Sequence, residues 1–371
     1  VDRIGTGMGL AMAVAAAAAV LAPVPASAVA GQQSYVALGD SYAAGQEIGG
    51  SGGGAAGCLQ SAQNYPRSAA ARAGLQLTDV SCSGATIADL FTPANGRPAQ
   101  VDALSASTAV VTLTIGGNDL GFRSVLSACI ASGPQGPLLF RFKTSCRDDF
   151  VTGGVDTLAK KAAEQVAPSL GTAVSKIRAK APNARVVVVG YPALMPDSAH
   201  IPPTGCFSPF DADGGPSVPF TAIDLNYINS VQAVLDAQSQ KAVEAVGGEY
   251  VSLLANTFDH AVCGSDPYIN PLQFTESGLS PSAMHPNQKG LAFEGAAVGN
   301  VLAAPRAFQG VTGALAPLGG DQYELRITVP TATLFSTPEV TAERNGSYLA
   351  HVAGEHGWYV GVRSAADSRV Y

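Results

Sequence analysis

Ser34-Tyr35-Val36-Ala37-Leu38-Gly39-Asp40-Ser41-Tyr42 starts as a short apolar run and ends on a glycine, an acid and a serine. A run of this length bounded by turn residues fits a strand buried on both faces. Residues 34–38 are the first of five such runs; the others are 77–81, 109–115, 185–190 and 249–253, the fourth containing Val186-Val187-Val188-Val189. Between them, 65–75 and 157–181 read as helices, the second with Lys and Arg on its exposed side. Leu225, Ile228, Val231 and Leu235 give 224–246 a helical apolar spacing, and 285–302 reads as the closing helix. Strands alternating with helices predict an α/β sandwich with a parallel sheet and right-handed crossovers. In such a sheet, ligands sit beyond the carboxyl ends of the strands. Ser41 follows the first run, Gly84 the second and Asn118 the third, so three polar or glycine-rich loops are expected on one edge.

A serine hydroxyl becomes a nucleophile only with a base to take its proton and donors to hold the oxyanion it creates. Ile115-Gly116-Gly117-Asn118-Asp119 and His285-Pro286-Asn287 contain residues of both kinds. Taken singly each segment is ordinary: Gly-Asp-Ser after a strand is usually a tight turn, Gly84 a loop glycine beside Cys82, and Asn118 a turn former. Their occurrence as an ordered set favours chemistry. Among the histidines, His285 stands out from His200, His260, His351 and His356 by preceding Pro286-Asn287 and a helix. His260 reads as structural or as part of a rim. Asp40 and Asp119 read as loop braces that accept backbone N–H groups.

The first thirty residues carry Arg3, an apolar stretch from Met8 to Leu21, Pro23 and Pro25, and the small-residue site Ala26-Ser27-Ala28. This is the plan of a secretory signal peptide, 1–28, with Ala30 as the alternative cleavage site. The stretch is short of the ~20 apolar residues of a spanning helix, and no later segment reads as transmembrane. In an exported chain, Cys58, Cys82, Cys129, Cys146, Cys206 and Cys263 form an even set for three disulfides. Fifteen pairings are open; the spacing suggests neighbours. With no Cys-x-x-Cys and no histidine paired to a cysteine at ligand spacing, neither a metal nor another cofactor is expected. A net charge of −7 with few Lys and Arg argues against a nucleic-acid partner. The main domain is expected over 31–305. Beyond it, Gly310, Gly313 and Pro317-Leu318-Gly319-Gly320 read as a linker, and runs at 323–329, 339–344, 348–352 and 358–362 as a small antiparallel β unit within 308–371. Trp358 and Tyr359 are expected to pack in its core rather than to line a binding face.

Gly39-Asp40-Ser41-Tyr42 (Tyr where many members have Leu), Gly84, Gly116-Gly117-Asn118-Asp119 and His285 match four signature blocks in order. From about Ser34 to Leu302 the chain resembles the secreted GDSL, or SGNH, hydrolases of the actinobacterial lipase and esterase type. The resemblance implies a flavodoxin-like three-layer α/β/α sandwich acting on ester or lipid substrates. It implies Ser41 as the nucleophile that forms an acyl-enzyme and His285 as general base. The backbone N–H groups of Ser41 and Gly84, with the Asn118 amide, would form the oxyanion hole. One position departs from the family pattern: Ser282 stands where an Asp usually orients the histidine. Some secreted relatives look like Ser–His dyads in which a backbone carbonyl replaces the acid, so a carbonyl near Ser282 is expected, with Asp259 or Asp266 as the rival. A phospholipase A or acetyl-sugar esterase on the same machinery stays open, because fold and catalytic set do not fix substrate. A catalytically silent surface-binding protein is the non-enzymatic alternative.

Overall fold

Five strands correspond to the five apolar runs: β1 (Ser34–Gly39), β2 (Gln76–Asp79), β3 (Val110–Thr114), β4 (Arg185–Val189) and β5 (Glu249–Val251). Each neighbouring pair is parallel, in the order β2-β1-β3-β4-β5. The computed structural model describes residues 32–304 apart from 47, 140, 141, 212 and 277, together with the backbone of the strands after 311. The 1–28 leader and the side chains of Trp358 and Tyr359 lie outside the described residues.

The helices used below are α1 (Ser41–Ala44), α2 (Tyr65–Ala73), α3 (Gly117–Leu120), α4 (Phe122–Ala128), α5 (Ala167–Lys180), α6 (Ala222–Glu244) and α7 (Gln288–Ala303). Because successive side chains on a strand point to opposite faces, the sheet has two cores. Tyr35, Ala37, Val110, Val187 and Val189 pack with Tyr65 and Ala69 of α2 and with Val298 and Leu302 of α7. Val36, Leu38, Val111, Leu113, Val186 and Val188 pack with Leu170, Val174 and Ile177 of α5 and with Leu225, Ile228 and Val231 of α6. The result is a three-layer α/β/α sandwich. Thr112 and Thr114 remain polar within the first core because Tyr35 and Tyr65 meet their hydroxyls at 2.7 and 3.0 Å.

Three elements differ from the sequence expectation. The helix expected over 157–181 is interrupted, running Thr157–Lys161, then a π-helical turn Ala162–Val166, then α5. Pro168, in the first turn of α5, has no N–H to return to Glu164, and a wider turn accommodates the lost rung. The closing helix starts at Gln288 rather than at His285, because the Asn287 side chain accepts the N–H groups of Lys289 and Gly290 and so caps it. His285 is thereby left in a turn. Thr312–Gly319, expected as a linker, is a strand paired antiparallel with Gln322–Thr328. Pro317 and Gly319 lie at the hairpin end, where the register shifts, while Gly313 pairs with Ile327 within the ladder. Glu339–Arg344, Tyr348–Ala353 and Trp358–Gly361 form a second antiparallel sheet.

The cysteines pair as sequence neighbours: Cys58–Cys82, Cys129–Cys146 and Cys206–Cys263. Each bridge typically adds ~2–4 kcal/mol, chiefly by restricting the unfolded chain. The opposite kind of feature sits on α7. Glu294 is buried, and neither carboxyl oxygen has a hydrogen-bond partner among the described residues. Burial, with Asp40 nearby, pushes its pKa well above the ordinary carboxylate range. The unfolded chain therefore releases this proton at a lower pH than the folded chain. Folding stability falls as pH rises above the ordinary glutamate value. Glu294→Gln removes that linkage, so its melting temperature relative to the unmodified protein should rise between pH 5 and pH 8. Thermal melts showing the same difference at both pH values would contradict the assignment.

Candidate active site

The carboxyl end of β1 is shaped by a glycine. Gly39 has φ +135°, and a Cβ there would lie 2.5 Å from the Thr114 carbonyl oxygen, so only glycine lets β1 approach β3 at this point. Buried Gln100 grips the same residue, accepting its N–H at 2.7 Å and donating to its carbonyl at 2.9 Å. Asp40 then donates its N–H to Thr114 O at 2.9 Å, and its side chain caps α1 by accepting the Tyr42 N–H at 2.9 Å. Ser41 is the first residue of that single-turn helix, at the strand edge.

His285 faces it from the turn before α7. Its Nε2 is 2.7 Å from Ser41 Oγ, and its Nδ1 is 2.9 Å from the backbone oxygen of Ala283. A carbonyl only accepts, so Nδ1 carries the hydrogen and Nε2 presents a lone pair to the serine hydroxyl. The chain reaches this arrangement through a left-handed residue: Met284 has φ +57°. Tyr42 O–H donates to Met284 O at 2.6 Å, and the Met284 N–H donates to Asn270 O at 3.0 Å, which hold the unfavourable conformation in place. The Tyr42 and His285 rings lie 4.9 Å apart. Burial pushes the imidazole pKa down to about 4; the Ala283 bond opposes this and the charge of Arg123 adds to it.

Ser282, at the family's usual Asp position, points its hydroxyl to Ser280 Oγ at 3.0 Å instead. The two rival acids are engaged elsewhere. The Asp266 carboxylate pairs with Lys289 and its backbone oxygen binds His260 Nδ1 at 2.7 Å, while Asp259 lies 3.9 Å from His260 Nε2. His260 itself stacks on Tyr268, with ring centroids 3.8 Å apart, and does not line the cavity described below.

Ser41, Gly84 and Asn118, which line the same cavity as His285, carry three donor groups. The N–H groups of Ser41 and Gly84 have no acceptor among the described residues, and Gly84 reaches its exposed position with φ +78°. Asn118 Nδ2 gives one hydrogen to Ala85 O at 2.9 Å, which fixes the amide and leaves the second hydrogen available. All of these residues line one cavity of about 310 Å³. Its lining also includes the apolar side chains of Leu120, Phe122, Leu126, Leu194, Leu235 and Leu279. A small polar cluster in an otherwise apolar cleft suits an acyl group whose carbonyl end is polarised. Asp119 braces its loop by accepting the Ile87 N–H at 3.1 Å.

Several residues of the site carry no sequence motif. Gln46 Nε2 lies 3.3 Å from His285 Nε2, beside the serine hydroxyl. Tyr191, two residues after β4, donates to Asp40 Oδ2 at 2.6 Å and accepts the Gly117 N–H at 2.8 Å. Burial pushes the Asp40 pKa up to about 7, against the pull of the hydrogen bonds from Tyr191 and the Tyr42 N–H. Position after a strand, on the ligand edge, was the only available signal for Tyr191; for Gln46 there was none.

A five-stranded parallel sandwich with this constellation at its carboxyl edge is the architecture of SGNH-type α/β hydrolases. Residues 37–293 match the GDSL-like lipase/acylhydrolase family, and the chain belongs to it as a carboxylic ester hydrolase. It is 36% identical over 260 residues to lipase 2 of Streptomyces coelicolor, covering 69% of this chain and 81% of that one. Among solved structures it is similar to phospholipase A1 from Streptomyces albidoflavus, with 27% identity and a TM-score of 0.57 over 73% of this chain and all of that one. It shares its fold with an extracellular lipase from Streptomyces rimosus, at 22% identity and a TM-score of 0.55 over 73% of this chain and all of that one. Among the described residues no helix is long and apolar enough to cross a membrane.

Proposed function

We propose that this protein is a secreted lipase or esterase that works through a Ser41–His285 dyad. The 2.7 Å contact between Ser41 Oγ and an imidazole held by the Ala283 carbonyl carries the reading. Ser41 Oγ attacks the ester carbonyl carbon while His285 Nε2 takes the hydroxyl proton. The oxygen of the tetrahedral intermediate is held by the N–H groups of Ser41 and Gly84 and by Asn118 Nδ2. Losing one such donor typically costs ~2.7–4 kcal/mol of barrier stabilisation. Collapse breaks the C–O bond, and the leaving alkoxide takes the proton from Nε2. Water then gives a proton to Nε2 and attacks the acyl-Ser41 carbonyl, which releases the acid and returns the proton to Ser41. The apolar walls favour a hydrocarbon acyl chain over an acetyl group. Export is supported by the 1–28 leader pattern and three disulfides. The strands within 308–371 form an accessory unit that lends no residue to the site.

Ser41→Ala should lower kcat on p-nitrophenyl butyrate by about 10⁴-fold or more while leaving the melting temperature within a few degrees. A folded variant within tenfold of the parent rate would refute Ser41 as nucleophile.

A phospholipid substrate is favoured by one observation. Arg123 stands exposed at the cavity wall with no acidic partner among the described residues, on a chain of net charge −7. A guanidinium there suits a phosphodiester headgroup. The similar Streptomyces albidoflavus structure is a phospholipase A1. Arg123→Gln should then lower the ratio of phosphatidylglycerol to neutral diacylglycerol hydrolysis, measured on matched dioleoyl mixed micelles, by about tenfold. An unchanged ratio would leave the neutral lipid reading alone.

A further inference from the structure

We infer that Tyr191 is a positioning residue for the oxyanion hole, a phenol strut that ties the Gly117–Asn118 turn to Asp40, the cap of the nucleophile's helix. The inference rests on the proposed role of Asn118 as an oxyanion donor.

Asn118 sits in α3, a helix of four residues whose Gly116 cap offers no side-chain acceptor. The first N–H groups of a helix need partners outside it. The Gly117 N–H finds its partner in Tyr191 Oη at 2.8 Å. A phenol can accept and donate at once, and Tyr191 does both, passing its own hydrogen to Asp40 Oδ2 at 2.6 Å. Asp40 gives its other oxygen to the Tyr42 N–H, at the start of the helix that holds Ser41. One chain of three hydrogen bonds thus runs from the oxyanion side of the site to the nucleophile side. The turn is packed against the strut as well as bonded to it: a Cβ at Gly117 would lie 3.1 Å from Tyr191 Oη. The ring also meets Tyr42 edge-on at 4.8 Å.

The chemistry needs this because a donor stabilises an oxyanion only from a fixed place. Displacing a catalytic group by about 1 Å can cost a hundredfold in rate. Tyr191→Phe keeps the ring but removes both hydrogen bonds, leaving the Gly117 N–H and one Asp40 oxygen unpaired. Because the oxyanion exists only along the reaction path, the loss should fall on kcat and spare KM.

A double-mutant cycle separates a strut from a merely structural tyrosine. Tyr191→Phe, Asn118→Ala and the double variant are assayed on p-nitrophenyl butyrate, well below their melting temperatures and per mole of folded protein. The expected results are a ten- to hundredfold loss of kcat for Tyr191→Phe, with KM within about twofold, and a larger loss for Asn118→Ala. In the Asn118→Ala background, Tyr191→Phe should cost less than about twofold, since the donor it positions is already gone. The same factor lost in both backgrounds, a loss below twofold in the parent, or failure of Tyr191→Phe to fold would each overturn the proposal. Asn118→Ala with near-full activity would instead defeat the oxyanion reading itself and take the strut with it.

Discussion

The hydrogen bond from His285 Nδ1 to the Ala283 carbonyl is the contact on which the site depends. It fixes the tautomer and the ring plane, and so decides that Nε2 meets Ser41 with a lone pair. A carboxylate would do this and would also stabilise the imidazolium. A carbonyl supplies the geometry without the full charge. With burial and Arg123 both disfavouring the charged ring, the base stays neutral far into the acidic range, with a pKa near 4. The cost is a weaker base, which places more of the catalytic load on the oxyanion donors and on their exact placement.

The nucleophile and the base share one set of pins. Asp40 caps the helix of Ser41 by holding the Tyr42 N–H, and the phenol of the same Tyr42 holds the carbonyl of left-handed Met284. A disturbance at either end reaches the other through a single residue. The loop after β2 is anchored covalently: Ser83 donates its N–H to Cys58 O at 3.0 Å, beside the Cys58–Cys82 bridge, and so presents Gly84. The parallel sheet supplies the common edge, and the local pins set the positions along it.

Much of this was legible in sequence. The five runs became five parallel strands with small shifts at their ends, because buried β-branched stretches leave few alternatives. Ser41, Gly84 and Asn118 converge on one cavity, as their order after successive strands suggested, and His285 joins them from the turn before α7. What escaped is what no residue type marks. The carbonyl expected near Ser282 is that of Ala283; only which oxygen would serve had no marker, because every residue possesses one. Tyr191 lies 151 positions from Asp40 and meets it only in the folded chain. Gln100, 61 positions from Gly39, is likewise visible only as a contact. The π-helical turn at 162–166 and the start of α7 at Gln288 depended on a missing N–H at Pro168 and a capping side chain at Asn287, local details that a periodic reading passes over.

Nitrogen-15 NMR of the His285 ring in the free enzyme tests the central claim most directly. The Ala283 contact predicts a hydrogen on Nδ1 and none on Nε2, and burial predicts a ring still neutral at pH 5.5 that takes its second proton at about pH 4. An Nε2–H tautomer would show that the Ala283 carbonyl does not hold the base, and protonation at ~6.5 or above, as in an ordinary histidine, would show that burial does not keep the ring neutral; either result would contradict the account.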